Sequence, residues 1–185
     1  MKIKMKRTIL SLMIVTVSMI GFAQKKTTTS ATIAFDASTA VDNLPKAENK
    51  TAIAAIDPAK NTIQFEAAIK NFAFANPRIQ EHFNQKGWMN SDDFPKATFN
   101  GIITNPSAVN FKKDGTYTVA VEGDLTIKGK TQKVNTPATI VVAGNTVKTS
   151  ATFSVKLADF DIDGSPVTAG KVSREPKITV SAELN

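Results

Sequence analysis

Over most of its length the chain alternates apolar and polar residues with a period of two, the pattern of strands that bury one face. Ile33, Phe35 and Ala37 mark one such face. Ile63, Phe65, Ala67 and Ile69 mark a second, after which the apolar phase slips by one to Phe72 and Phe74, as a bulge near Lys70 and Asn71 would cause. Ala97, Phe99, Gly101 and Ile103 form the next face. Asp114-Gly115 predicts a tight reversal into a long strand carrying Tyr117, Val119, Val121, Leu125 and Ile127. Gly129 and Lys130 then turn the chain into Val134, Thr136, Ala138, Ile140 and Val142. The segment "AGNT", 143 to 146, turns it again into Val147, Ala151, Phe153, Val155 and Leu157, and a last strand carries Ile178, Val180, Ala182 and Leu184.

Two stretches break the alternation. Residues 40 to 57 hold Pro45 and scattered charges before a short apolar run, and predict a loop with a helical turn leading into a short strand at 52 to 56. Ile79 and Phe83 are four apart and Gly87 follows as a stop, which predicts one short helix. About eight strands with mostly short links imply antiparallel pairing, and a sheet of that size commonly closes to remove its edges. The expected class is all-β, an extended antiparallel eight-stranded barrel with one short helix, with a sandwich as the second arrangement.

Residues 1 to 23 do not belong to that pattern. Lys2, Lys4, Lys6 and Arg7 precede an uncharged run from Thr8 to Phe22, and Gly21 and Ala23 are small, which is the layout of a secretory signal cut near Gln24. The run is shorter than the ~20 residues a membrane-spanning helix needs. Residues 24 to 30 are expected to be a flexible lead and 31 to 185 a single barrel domain. Removing four of the 23 basic residues leaves 19 against 16 acids, a balance of +3, with lysines spread singly. Nucleic acid is therefore not an expected partner. With no cysteine, neither a disulfide nor an acylated anchor is available. The expected product is a periplasmic or secreted protein without a stable membrane anchor, its oligomeric state undetermined.

The inward faces mix large residues with very small ones: Ala67 beside Phe65, Ala97 and Gly101 around Phe99, Ala151 beside Phe153. Such mixing either interdigitates to fill a barrel or leaves a hydrophobic cavity, and both remain open at this point. For a cavity, the lining candidates are Phe35, Phe65, Phe99, Val119, Phe153 and Val180, with Trp88 and His82 near the mouth. Candidate chemistry is sparse. "DFDIDG" (159 to 164) opens like a calcium loop, but its twelfth position is Gly170 where a bidentate Glu belongs, and Phe160 and Ile162 alternate with the acids as at a strand edge. His82 is the only imidazole, and Asp92 and Asp93 read as a solvated turn. No catalytic group, metal or cofactor is expected.

Four stretches together resemble the YceI-like family of secreted lipid- or polyisoprenoid-binding proteins: "EHF" (81 to 83), "SDDFPKATFNG" (91 to 101), "GDLTIKGKTQKV" (123 to 134) and "ADFDI" (158 to 162). Lys128, Gln80 and Asp161 stand where that family often has His, an acid and Gly. The resemblance implies an extended lipocalin-like barrel with a helix near one end, holding an isoprenoid or other long apolar chain as a ligand without catalysis. Two other classes stand beside it: a hydrolase or isomerase using carboxylates and His82, and a filled barrel acting through its surface.

Overall fold

A computed structural model describes residues 24–185; the predicted secretory signal lies outside the described residues. The strands are β1 (Lys26–Asp36), β2 (Lys46–Asp57), β3 (Thr62–Ala68), β4 (Ala73–Phe74), β5 (Lys96–Ile103), β6 (Gly115–Ile127), β7 (Lys130–Ala143), β8 (Thr146–Ser154) and β9 (Lys177–Leu184). Helices are α1 (Pro77–Asn84) and the single turn α2 (Ser165–Thr168). The sheet runs β1-β9-β8-β7-β6-β5-β3-β2, every pair antiparallel, and β1 pairs with β2 to close it. The result is the expected closed eight-stranded barrel, with β4 added outside the ring against the start of β2.

The predicted inward phases of β3, β5, β6, β7 and β9 hold, because pleating sends alternate side chains to the lumen. Four local expectations need correction. Residues 26 to 30, expected to be a flexible lead, form the first half of β1, with Lys26 opposite Ile56 and Thr28 opposite Ala54. Threonine suits an extended backbone, and the ladder holds this polar segment without an apolar face. Residues 46 to 57, expected to be loop and helical turn leading into a short strand at 52 to 56, are one twelve-residue strand that begins six residues earlier. Its alternation is hidden by two register shifts against β1, between Thr28 and Ala31 and between Ala31 and Ile33. The second switches the inward phase of β2 from Ala47 and Asn49 to Ala52, Ala54 and Ile56. Asn49, fully buried at the switch, donates to Ala68 O at 3.0 Å and accepts from Thr51 N at 2.8 Å, so its amide is satisfied inside the wall.

The phase slip after Ile69 is a 3₁₀ turn, Ile69–Asn71, rather than a bulge. The last correction concerns 157 to 162, where a 3₁₀ turn at Leu157–Phe160 replaces the expected strand edge and is followed by Asp161 in a left-handed conformation, φ 52°. Glycine adopts that backbone freely and aspartate tolerates it, which accounts for the residue exchange noted at this position.

The connections that carry the α-helices lie at one end of the barrel. The β1–β2 loop, the 3₁₀ turns Ile69–Asn71 and Leu157–Phe160, α1 with its return through residues 85 to 95, and α2 are there. The other end has only the short β2–β3 and β7–β8 turns and the β5–β6 connection through a 3₁₀ turn, Pro106–Ala108. That asymmetry gives the barrel a mouth and a floor.

Candidate functional site

The interior divides at a definite level. Toward the floor, Ile56, Ile103, Val119, Ile140, Val147 and Leu184 are each at most 4% exposed and pack into a solid plug. Above them a cavity of about 130 Å³ runs toward the mouth. Its boundary follows the strands: Val121 lines the cavity and Val119 does not, Ala138 does and Ile140 does not, Val180 does and Ala182 does not. The filled-barrel reading is thus correct for the lower half and wrong for the upper half.

Small inward residues explain the difference. Ala67, Ala97, Ala138 and Ala151 sit at cavity level among Phe35, Phe65, Phe99 and Phe153. Gly101 and Gly123 face one another across β5 and β6, and the Phe99 ring lies over both. Every side chain of the lining is uncharged, and apart from Thr98, Thr136 and Thr149 every one is apolar. Such a surface favours a hydrocarbon and disfavours any ion, since burying an unpaired charge is costly.

At the mouth, α1 begins at Asn76, whose side chain accepts from Arg78 N at 2.9 Å, with Pro77 in the first turn. No residue of α1 is fully buried. Its hold on the barrel runs through Phe83, whose ring lies 6.1 Å from Phe35, 5.9 Å from Phe72 and 4.9 Å from Phe74, all tilted as aromatic pairs prefer. The return segment then inserts Met89, buried and tied by Met89 N to Phe83 O at 3.1 Å. Phe83 and Met89 both reach the cavity.

Of the residues singled out from sequence, Phe35, Phe65, Phe99, Phe153 and Val180 line the cavity. Val119 does not; it is inward but one step too deep, in the plug. Trp88 is half-buried against the core and Met89 takes the lumen position beside it. His82 is exposed on α1 and does not reach the cavity. Phe72, Phe83, Leu157, Phe160 and Ile162 line it without having been named as lining candidates. Phe160 and Ile162 did carry a signal, the alternation inside "DFDIDG", here produced by a turn that folds both over the rim. The acids of that segment face outward, and Asp161 pairs with Lys130 at 2.7 Å while its carbonyl accepts from Lys128 Nζ at 2.9 Å.

A closed antiparallel barrel, plugged at one end and lined with hydrocarbon toward a helix-covered mouth, defines a lipocalin-like barrel with a single-ended apolar lumen. The chain belongs to the YceI-like domain family, whose model matches residues 16–184. Among solved structures it is similar to Burkholderia cenocepacia BcnA, with 22% identity, a TM-score of 0.69 and coverage of 84% of this chain and 96% of that one. It is also similar to a structure from Saccharophagus degradans described as a polyisoprenoid binding domain implicated in plant cell wall breakdown: 10% identity, TM-score 0.74, 87% and 97% covered. At these identities the likeness is one of fold. None of the curated proteins matches the sequence.

Proposed function

We propose that this protein is a non-enzymatic carrier, periplasmic or secreted, that holds a long apolar chain such as a polyisoprenoid in its barrel. The observation that carries this reading is the blind lumen itself, apolar in its walls, with Phe83 and Met89 lining it at the mouth. Each methylene moved from water into such walls contributes about 0.8 kcal/mol before ordering costs. The description of the Saccharophagus domain as polyisoprenoid binding supports the same class of ligand.

Volume decides how the chain is held. A cavity of about 130 Å³ is close to the ~150 Å³ that admits one benzene ring, so it takes a short stretch of chain with α1 in place. A long chain must displace Phe83 and leave its remainder at the mouth. Because α1 has no fully buried residue, that opening costs little compared with disturbing a strand. Phe35, Phe65, Phe99, Phe153 and Val180 would contact the chain, with Phe83 and Met89 as its gate. Specificity for the hydrocarbon would be low, because dispersion contacts recognise shape and little else.

The test is extraction of the purified protein with organic solvent and mass spectrometry of the extract. A carrier brings stoichiometric lipid with it. Recovery of no lipid, together with failure to take up an added isoprenoid alcohol, would overturn the proposal.

A further inference from the structure

Among the described residues four large hydrophobic side chains are exposed: Val41, Leu44, Ile53 and Ile102. Ile53 and Ile102 lie apart on the outer wall, on β2 and β5, where single exposed apolar residues are ordinary. Val41 and Leu44 instead share the β1–β2 loop at the mouth, 73% and 53% exposed. The loop's own hydrogen bonds fix this arrangement. Thr39 Oγ1 accepts from Val41 N at 3.2 Å and Asp42 N at 3.1 Å, and Asp42 Oδ1 accepts from Leu44 N at 2.8 Å. Thr39 N donates to Asp42 O at 2.7 Å, and Ala37 N closes the base on Pro45 O at 2.8 Å. The product is a braced turn with an apolar tip.

The chain between α2 and β9 is fastened beside that turn. Thr39 Oγ1 donates to Gly170 O at 2.8 Å and Ser173 N donates to Ala37 O at 2.8 Å, which brings up Lys171 and Arg174, the residues that follow those two contacts. Lys177 stands opposite Asp36 in the ladder, and Lys156 lies between the bonds from Val155 N to Pro176 O and from Leu157 N to Arg174 O. All four cations are exposed, and among the described residues none is in an ion pair. Of the acids on this flank, Asp36 is paired with Lys46 and Asp42 is engaged with its own loop. Glu175 remains, and Asp163 lies at the far end of α2. The flank is therefore apolar at its tip and basic around it.

On the carrier reading, we infer that Val41 and Leu44 form a docking tip that enters the headgroup region of a bilayer containing anionic lipid, with Lys156, Lys171, Arg174 and Lys177 on the lipid phosphates. A hydrocarbon cargo is poorly soluble in water, so the mouth must meet a lipid surface to load or unload. The tip lies where that meeting occurs: Phe35, one residue before Asp36 at the loop's base, packs against the gate residue Phe83 with ring centroids 6.1 Å apart. Two apolar side chains and a few cations attract without anchoring, so the contact is reversible.

The experiment is sedimentation of the purified protein with vesicles of phosphatidylcholine alone and of phosphatidylcholine mixed with phosphatidylglycerol. The parent is expected to bind the mixed vesicles more tightly and to lose that preference as salt rises. Val41→Ser combined with Leu44→Ser should weaken binding to the mixed vesicles about tenfold, whereas Ile53→Ser combined with Ile102→Ser, on the wall, should not change it. Lys171→Gln and Arg174→Gln should each cost about fivefold on mixed vesicles at low salt and nothing on neutral ones. All these side chains are exposed, and thermal melts should match the parent's. No binding by the parent, or an equal loss in the loop and wall variants, would overturn the docking tip and leave the patch to a protein partner. Solvent extraction of the same preparations separates the two readings. Lipid recovered from a parent that does not dock removes the tip and keeps the carrier; a parent that docks through Val41 and Leu44 but neither yields nor takes up lipid keeps the tip and removes the carrier.

Discussion

The ring of Phe99 lies across the backbone of Gly123: a methyl placed on Gly123 would sit 2.6 Å from Phe99 Cζ and 2.5 Å from the carbonyl oxygen of Asn100. On Gly101, opposite, a methyl would meet the same ring at 2.6 and 2.7 Å and its nearest backbone atom, Glu122 O, at 3.1 Å. The two glycines let β5 and β6 carry a large aromatic flat against the wall, where it lines the cavity without filling it.

Gly123→Ala and Gly101→Ala should therefore behave differently. At Gly123 the clash includes backbone that cannot rotate away, and a cost of about 3 kcal/mol is expected. At Gly101 the Phe99 ring can swing, so about 1 kcal/mol is expected, with the ring pushed into the lumen and lipid capacity reduced. Chemical denaturation and lipid loading of both variants check this.

Ala151→Phe places a ring at cavity level, between Thr149 and Phe153 on β8. Overpacking of this kind costs about 1–3 kcal/mol and leaves the plug below untouched. The expected outcome is a folded protein that recovers little or no lipid. Equal recovery from variant and parent would place the ligand elsewhere.

Phe83→Ala removes the centre of the four-phenylalanine cluster at the mouth. Because the side chain is half-buried, the loss should be about 2 kcal/mol, below that of a fully buried Phe. Release of a bound fluorescent lipid should accelerate. His82→Ala, one residue earlier and exposed, should change neither retention nor release. A loss of turnover on some substrate in His82→Ala would instead favour the hydrolase or isomerase reading.

Asp36, at the rim end of β1, accepts from Ser38 Oγ at 2.5 Å and Ser38 N at 3.0 Å and pairs with Lys46 at 3.3 Å. The Ser38 hydroxyl chiefly, with Ser38 N–H and Lys46 adding, holds its carboxyl below the usual range against the opposing effect of burial. A carboxyl depressed in the folded state stabilises the fold above its unfolded-state pKa and loses that contribution as pH falls through the folded value. Asp36→Asn should thus lower stability at neutral pH and flatten the acid limb of the profile below the ordinary carboxylate range. Both side chains are close to half exposed, so the effect should be a fraction of a kcal/mol. Thermal melts across an acid series read it.

Most of the barrel was legible because its inward residues alternate without interruption, as in Val134 to Val142 of β7. The parts that were not legible share a physical cause. The start of β1 is held by backbone ladder bonds between polar residues, which leave no hydropathy pattern. β2 changes face at Asn49, where a polar residue is satisfied within the wall and breaks the apolar period. Phe72, Phe83 and Met89 reach the lumen from turns and a helix whose geometry obeys neither simple period.

From the order of its residues alone, this chain specified an antiparallel closed sheet, the identity of its inner face and the small residues that thin that face. Only the closed structure decided the depth at which packing stops. Whether Val119 is wall or plug depends on what meets it from across the lumen, and strand period says which way a side chain points, not what stands opposite.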